Sequence, residues 1–304
     1  MTIFGVGLDQ ATRLVDTLFR HAELADEGGL DVVSVSDHPY FGDRLDAYAT
    51  IGVLLGRTRS VAGLVNVTNA IRTAPMLART VTSLSELSGG RIVLGMGAGG
   101  SWDDIARLGA PRLSPGAAVR AFEEAMTVVR LLSGGGAPVT FEGEFFQVTD
   151  LAPAETPTPP IWTGSVGPRS LAVTGRLADG WIPGRAADWL SERYKESRPV
   201  IDEAAAQAGR KPEDVATIYN LPGRITATPL PATRDGDRWL GGSVDQWVEE
   251  LTGAVLDHNA GGFTLFPLKD GTPLDVTIGR WAQEIAPAVR EAIGEHRKEP
   301  TRSA

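Results

Sequence analysis

Four histidines occur in the chain, and one of them, His38, closes the run Val32-Val33-Ser34-Val35-Ser36-Asp37-His38. An imidazole at the end of a strand can donate, accept and titrate near neutrality, and Asp37 beside it could orient it or tune its charge. A plainer role stays open, with Asp37 capping the next turn and His38 a satisfied rim residue. His21, His258 and His296 fall within or beside helical stretches. No second histidine stands at ligand spacing, so no metal site is expected. The stretch Gly97-Ala98-Gly99-Gly100 could bring main chain close to a planar or phosphorylated ligand, or be a plain turn. Thr163-Gly164-Ser165-Val166-Gly167 opens a helix, where free N–H groups, the helix dipole and the Ser165 hydroxyl would favour a phosphate. An ordinary N-cap at Ser165 is the alternative. Trp102, Trp162 and Trp181 lie near the ends of apolar runs and could wall a slot, whereas Trp189, Trp239, Trp247 and Trp281 read as helix and loop packing. The absence of cysteine excludes disulfides, thiolate metal sites and cysteine nucleophiles.

These residues need a scaffold that brings distant loops together. Short β-branched runs alternate with stretches of helical period along the chain. The expected strands are Ile3–Gly7, Asp31–Val35, Ser60–Val67, Arg91–Gly95, Ile161–Thr163, Trp181–Ile182, Ala216–Leu221 and Gly262–Phe266. Eight helical stretches follow them, one opened by the capping box Ser243 to Gln246. Eight such units in 304 residues predict an α/β fold, a single (β/α)8 barrel over residues 1–296. A doubly wound sheet is the rival, but Gly7-Leu8-Asp9-Gln10 lacks its glycine fingerprint. Residues 138–159 read as an insertion after the fourth unit, a short polar hairpin with a proline-rich exit. Residues 297–304 read as a disordered, charged tail. In a barrel, Asp37, His38, Asn66, the glycine loop and Gly164 all follow strands and converge on one rim.

Apolar residues are 42% and charged residues 22%, the mix of a chain with a real core. A net charge of −9 without a basic run argues against a nucleic-acid or anionic-membrane partner. The start lacks a signal-peptide pattern and no apolar run is long enough to span a bilayer, so a cytoplasmic location is expected.

Taken together, several motifs resemble those of the bacterial luciferase-like oxidoreductases, which depend on flavins or deazaflavins. The resemblance rests on Ala25-Asp26-Glu27-Gly28-Gly29-Leu30-Asp31 leading to Ser36-Asp37-His38. It continues through Ala74-Pro75-Met76-Leu77-Ala78-Arg79-Thr80 and Leu87-Ser88-Gly89-Gly90-Arg91-Ile92-Val93-Leu94-Gly95-Met96-Gly97. It ends with Pro159-Pro160-Ile161-Trp162, Ala178-Asp179-Gly180-Trp181 and Gly242-Ser243. Each is weak alone, and together they run along nearly the whole chain. The resemblance implies a homodimeric (β/α)8 barrel with a non-proline cis peptide at Asn66–Val67 pressed against the ring. It places Thr163, Gly164, Ser165 and Val166 with Ala98, Gly99 and Gly100 on the cofactor phosphate, and Asp103 on the cofactor tail. The Asp37-His38 pair matches the deazaflavin branch, so coenzyme F420 is favoured over flavin mononucleotide (FMN). The implied reaction is hydride transfer between the deazaflavin C5 and an organic small-molecule substrate, with His38 moving the proton and Asp37 orienting it. The rivals are an FMN monooxygenase fed by a separate reductase, a cofactor-binding barrel without turnover, and a phosphate-dependent lyase or isomerase. One departure is clear: sugar-phosphate dehydrogenases of this family carry an acid–base glutamate where this chain has Gly100.

Overall fold

The computed structural model describes residues 2–68 and 70–296. Eight parallel strands carry the barrel: β1 (Ile3–Gly7), β2 (Val32–Val35), β3 (Ala62–Val65), β4 (Ile92–Met96), β5 (Ile161–Thr163), β6 (Gly180–Trp181), β7 (Ala216–Ile225) and β8 (Gly262–Pro267). Each pairs with the next, and β8 returns to β1 with Ile3 opposite Gly262 and Val6 opposite Leu265. Closure leaves the eight barrel strands no free edge, and Gly241–Gly242 adds a two-residue strand beside the end of β7. The expected strands are all present, Ile3–Gly7 and Ile161–Thr163 with the expected ends and the others with shifted ones. The third is shorter than the sequence pattern because the chain turns at Asn66, and the seventh runs on to Ile225.

The two faces of the strands explain their composition. Val32, Leu64, Val93, Trp162, Ile182 and Ile218, contributed from around the barrel, meet in one cluster that fills its interior. The alternate residues Phe4, Val6, Val33, Val65 and Leu94 belong to the larger core shared with the helices. Trp162 is thus an interior plug. Trp181, fully buried, packs outside the barrel with Leu171 and Ile201 and lies parallel to Tyr194 at 6.1 Å, so neither of these walls a slot at the rim.

The helices are α1 (Val15–Glu27), α2 (Ala47–Arg57), α3 (Ala74–Ser88), α4 (Trp102–Arg107), α5 (Pro115–Leu131), α6 (Pro168–Leu177), α7 (Glu192–Gln207), α8 (Val244–His258), α9 (Leu274–Arg280) and α10 (Ala286–His296). The short α4 was read as loop in the sequence. The last expected helix is divided by a π-helical turn, Trp281–Ile285, where Trp281 Nε1 donates to the Gly5 carbonyl at 2.9 Å. The capping box at Ser243 and Gln246 forms as expected. No helix among the described residues is long and apolar enough to cross a membrane. The expected tail, 297–304, lies outside the described residues.

The Ala25–Asp31 motif has a visible task. Gly28 ends α1, Gly29 takes a φ of 77°, and Asp26 reaches across to the segment before β3. Its carboxylate accepts the N–H groups of Arg59, Ser60 and Val61 and the Ser60 hydroxyl, at 2.7–2.8 Å. Burial alone would push this carboxyl up, but the Ser60 hydroxyl and the three N–H donors outweigh it and bring it down to about 2. Its stabilisation is present above the unfolded value of 3.8 and is lost as the pH falls through about 2. Asp26→Asn is expected to lower stability at neutral pH by about 1 kcal/mol, after allowing for solvent screening. Denaturant melts should show the deficit shrinking as the pH is taken from 4 toward 2.

Candidate active site

The site begins at the end of β2. Gln10, buried, accepts the Ser36 N–H at 2.9 Å and donates to the Ser36 carbonyl at 2.5 Å, fixing the residue before Asp37 on both sides. The chain then turns: the Phe41 N–H donates to the His38 carbonyl at 3.1 Å, with Pro39 in the position that proline prefers. This turn carries Tyr40 back over His38, whose Nδ1 lies 2.5 Å from the Tyr40 hydroxyl. His38 is held below its usual pKa of 6.5, first by burial and then by Arg44, against the opposing pull of Asp37.

Asp37 was expected to orient His38. Its carboxylate meets Arg72, at 3.1 Å and 3.4 Å, and has no side-chain exposure. Arg72 also donates to Asp46 at 2.6 Å and lies over the Tyr48 ring at 4.6 Å. Asp46 caps α2 by accepting the Ala49 N–H. Burial pushes its carboxyl up, and the hydrogen bonds from Ala49 and Arg72 overcome this to hold it below the usual range. The Tyr48 hydroxyl, driven up to a pKa outside the physiological range by burial, lies 2.5 Å from the Thr68 hydroxyl. One guanidinium therefore joins the ends of β2 and β3 to the start of α2.

After β3 the bond Asn66–Val67 is cis, as the resemblance implied. Asn66 Nδ2 donates across the barrel mouth to Asn220 Oδ1 at 3.3 Å. Val67 is wedged between two glycines. A Cβ built on Gly97 would stand 2.8 Å from Val67 Cγ2, and one on Gly164 would stand 3.4 Å from both its methyls. The ends of β3, β4 and β5 thus meet at one side chain, and glycine at 97 is what allows it. Gly99 has a φ of 92° with Trp102 beneath it, and nothing lies near Gly100. Among the described residues, the N–H groups of Ala98, Gly99, Gly100, Ser165 and Val166 donate to no main-chain acceptor.

A cavity of about 450 Å³ opens beside this wedge, with Thr68, Arg72, Gly97, Ala98 and Trp102 at its inner wall. Phe122 of α5 and Phe145 and Phe146 of the insertion close its far side. The insertion is the expected hairpin, Val139–Glu142 against Gln147–Leu151, but its tip is apolar where it was read as polar. That tip hangs on Glu124 of α5, whose carboxylate accepts the N–H groups of Glu144, Phe145 and Phe146 at 2.8–3.2 Å.

The helix after β5 starts just beyond the glycine-rich turn. Gly167 is its cap and Pro168 its first residue, so Ser165 is not the N-cap. Ser165 is buried, its hydroxyl accepts from Thr174 at 2.9 Å, and its carbonyl accepts from Trp181 at 2.9 Å. The Thr163 hydroxyl joins the same chain, 2.7 Å from that of Thr174. Thr163 and Ser165 therefore turn their side chains toward α6, leaving main chain to face the rim. Val166 is 53% exposed, and Asp103, 79% exposed, pairs with Arg112 rather than lining the cavity. Arg72, Tyr40, Tyr48 and Thr68 escaped the sequence reading. Pro39 was the one readable signal, since it announces the turn that returns Tyr40 to His38.

The F420-dependent glucose-6-phosphate dehydrogenase of Microbacterium testaceum is 32% identical over 208 residues, 65% of this chain and 61% of that protein. The chain thus spans less than two thirds of that relative. The enzyme of the same description from Nakamurella multipartita is 30% identical over 271 residues, 86% of this chain and 76% of that protein. In fold, an F420-dependent secondary alcohol dehydrogenase solved with an F420–acetone adduct superposes with a TM-score of 0.77 at 19% identity, covering 95% of this chain and 99% of that one. The luciferase-like monooxygenase family matches residues 2–261, and the chain belongs to that family.

Proposed function

We propose that the protein is an F420-dependent oxidoreductase acting on a small organic substrate, with His38 moving the proton at the rim. The observation that carries this reading is the wedge of Val67 between Gly97 and Gly164, beside an apolar cavity and a row of open main-chain donors. These residues fit a planar ring with a phosphate-bearing tail: the wedge offers a flat shelf, and the N–H groups of Ala98, Gly99, Gly100, Ser165 and Val166 suit an anion. Asn66 and Val67 would form the shelf, with Thr163 and Gly164 beside it and Asp103 at the reach of the tail. When bound, the deazaflavin supplies a hydride-exchanging carbon at C5. In the reducing direction His38, neutral at pH 7, would donate to the substrate oxygen and pass it a proton that solvent restores to the ring, and Asp37 would balance its charge while anchored by Arg72. Gly100 carries no carboxylate, so it cannot share the acid–base work with His38. The same reading has the enzyme as a homodimer in the cytoplasm, and sedimentation equilibrium checks the dimer.

Titration of tryptophan fluorescence tests the cofactor. Trp102 is the reporter, since it lines the cavity while Trp162 and Trp181 do not. Saturable quenching by F420 at micromolar concentration, with none by FMN, is the expected result. Quenching by FMN alone would replace this reading with an oxygen-dependent monooxygenase, and binding of neither would leave only the fold in common with the relatives.

A further inference from the structure

We infer that Tyr40 is a positioning residue that holds neutral His38 as the Nε2–H tautomer, so that the ring offers a hydrogen-bond donor to a carbonyl-type oxygen of the substrate. This rests on the reading of His38 as the proton-moving group. The hydroxyl of Tyr40 lies 2.5 Å from Nδ1, and the turn closed by Phe41 N–H and the His38 carbonyl sets that approach through the backbone. The rings of His38 and Tyr40 are 5.4 Å apart, and Phe41 packs on both, at 5.8 Å from His38 and 4.8 Å from Tyr40. A flip of the imidazole would keep these ring contacts but break the bond to Nδ1, so that bond is what distinguishes the two nitrogens. A phenol is a better donor than a neutral imidazole N–H, and an imidazole nitrogen is a better acceptor than a phenol oxygen. The shared proton therefore sits on Tyr40, Nδ1 keeps its lone pair, and the ring proton resides on Nε2. The other charged groups acting on His38 are Asp37, whose carboxylate also meets Arg72, and Arg44, whose guanidinium pairs with Asp9.

Nitrogen-detected NMR of the full chain labelled with 15N-histidine, at a pH where His38 is neutral, tests this. His38→Gln identifies its signals among the four histidines. The expected spectrum has Nε2 protonated, Nδ1 unprotonated, and a low-field hydroxyl proton coupled to Nδ1. In Tyr40→Phe, which keeps the ring packing, that proton disappears and the two nitrogen shifts move toward each other. Turnover in the same variant should fall roughly 2–10-fold in kcat with little change in KM, the worth of one hydrogen bond. A parent spectrum with the proton on Nδ1, or shifts unmoved in Tyr40→Phe, overturns the proposal. The spectra need no cofactor, so their outcome is separate from the His38→Ala assay that tests the acid–base reading.

Discussion

His38→Ala is expected to lower kcat by about 10²–10⁴-fold, the usual worth of a positioned acid–base group, with F420 affinity unchanged. The separation follows from the structure: the proposed shelf and phosphate donors lie on the loops after β3, β4 and β5, whereas His38 stands after β2. The pH profile adds a second signature. Burial and Arg44 hold His38 below its ordinary 6.5, so the neutral form dominates at pH 7 and an acid limb should begin only below pH 6.5. That limb should vanish in the residual activity of the variant. Full activity of His38→Ala would remove the imidazole from the mechanism, and loss of cofactor binding would reassign it to the shelf.

Arg72→Ala is expected to have the largest effect on stability. It takes the facing cation from a carboxylate with no side-chain exposure, and breaking a buried pair costs about 3–5 kcal/mol. Arg72 is itself 25% exposed, so the lower figure of about 3 kcal/mol applies. The variant also loses the bond to Asp46 and the contact with Tyr48. A drop in Tm of roughly 6 °C follows for a chain of this size, and Arg72→Lys should recover only part of it because lysine cannot form the fork. An unchanged melt for Arg72→Ala would mean that Asp37 is held by other contacts.

The two substitutions also mark how far the sequence could be read. The barrel was legible because closure imposes a repeating demand: a short apolar strand, a polar rim, a helix. Ile161–Thr163 was found from three residues because that rhythm required it. Asp37, His38, Asn66 and the glycine loops were legible for the same reason, since strand ends are where a barrel gathers its chemistry. Arg72 was not, because it sits in a loop without periodicity and its partners Asp37 and Asp46 stand 35 and 26 positions away. The direction of a rim side chain was equally hidden. Ser165 reads as a phosphate ligand or a helix cap, yet Gly167 caps the helix and the Ser165 hydroxyl turns inward to Thr174. The polar composition of residues 138–159 likewise concealed that Phe145 and Phe146 close the cavity.

The attachment of that hairpin has a consequence for how such a protein can diversify. Its tip is fastened to the barrel by the Glu124 carboxylate and three N–H groups, beside the Arg120–Glu144 pair, and main-chain donors serve any side chains placed at 145 and 146. The roof of the cavity is thus an interchangeable part on a fixed mount. Selection, or a library confined to those positions, can reshape which molecules are admitted while the machinery around His38 is inherited intact.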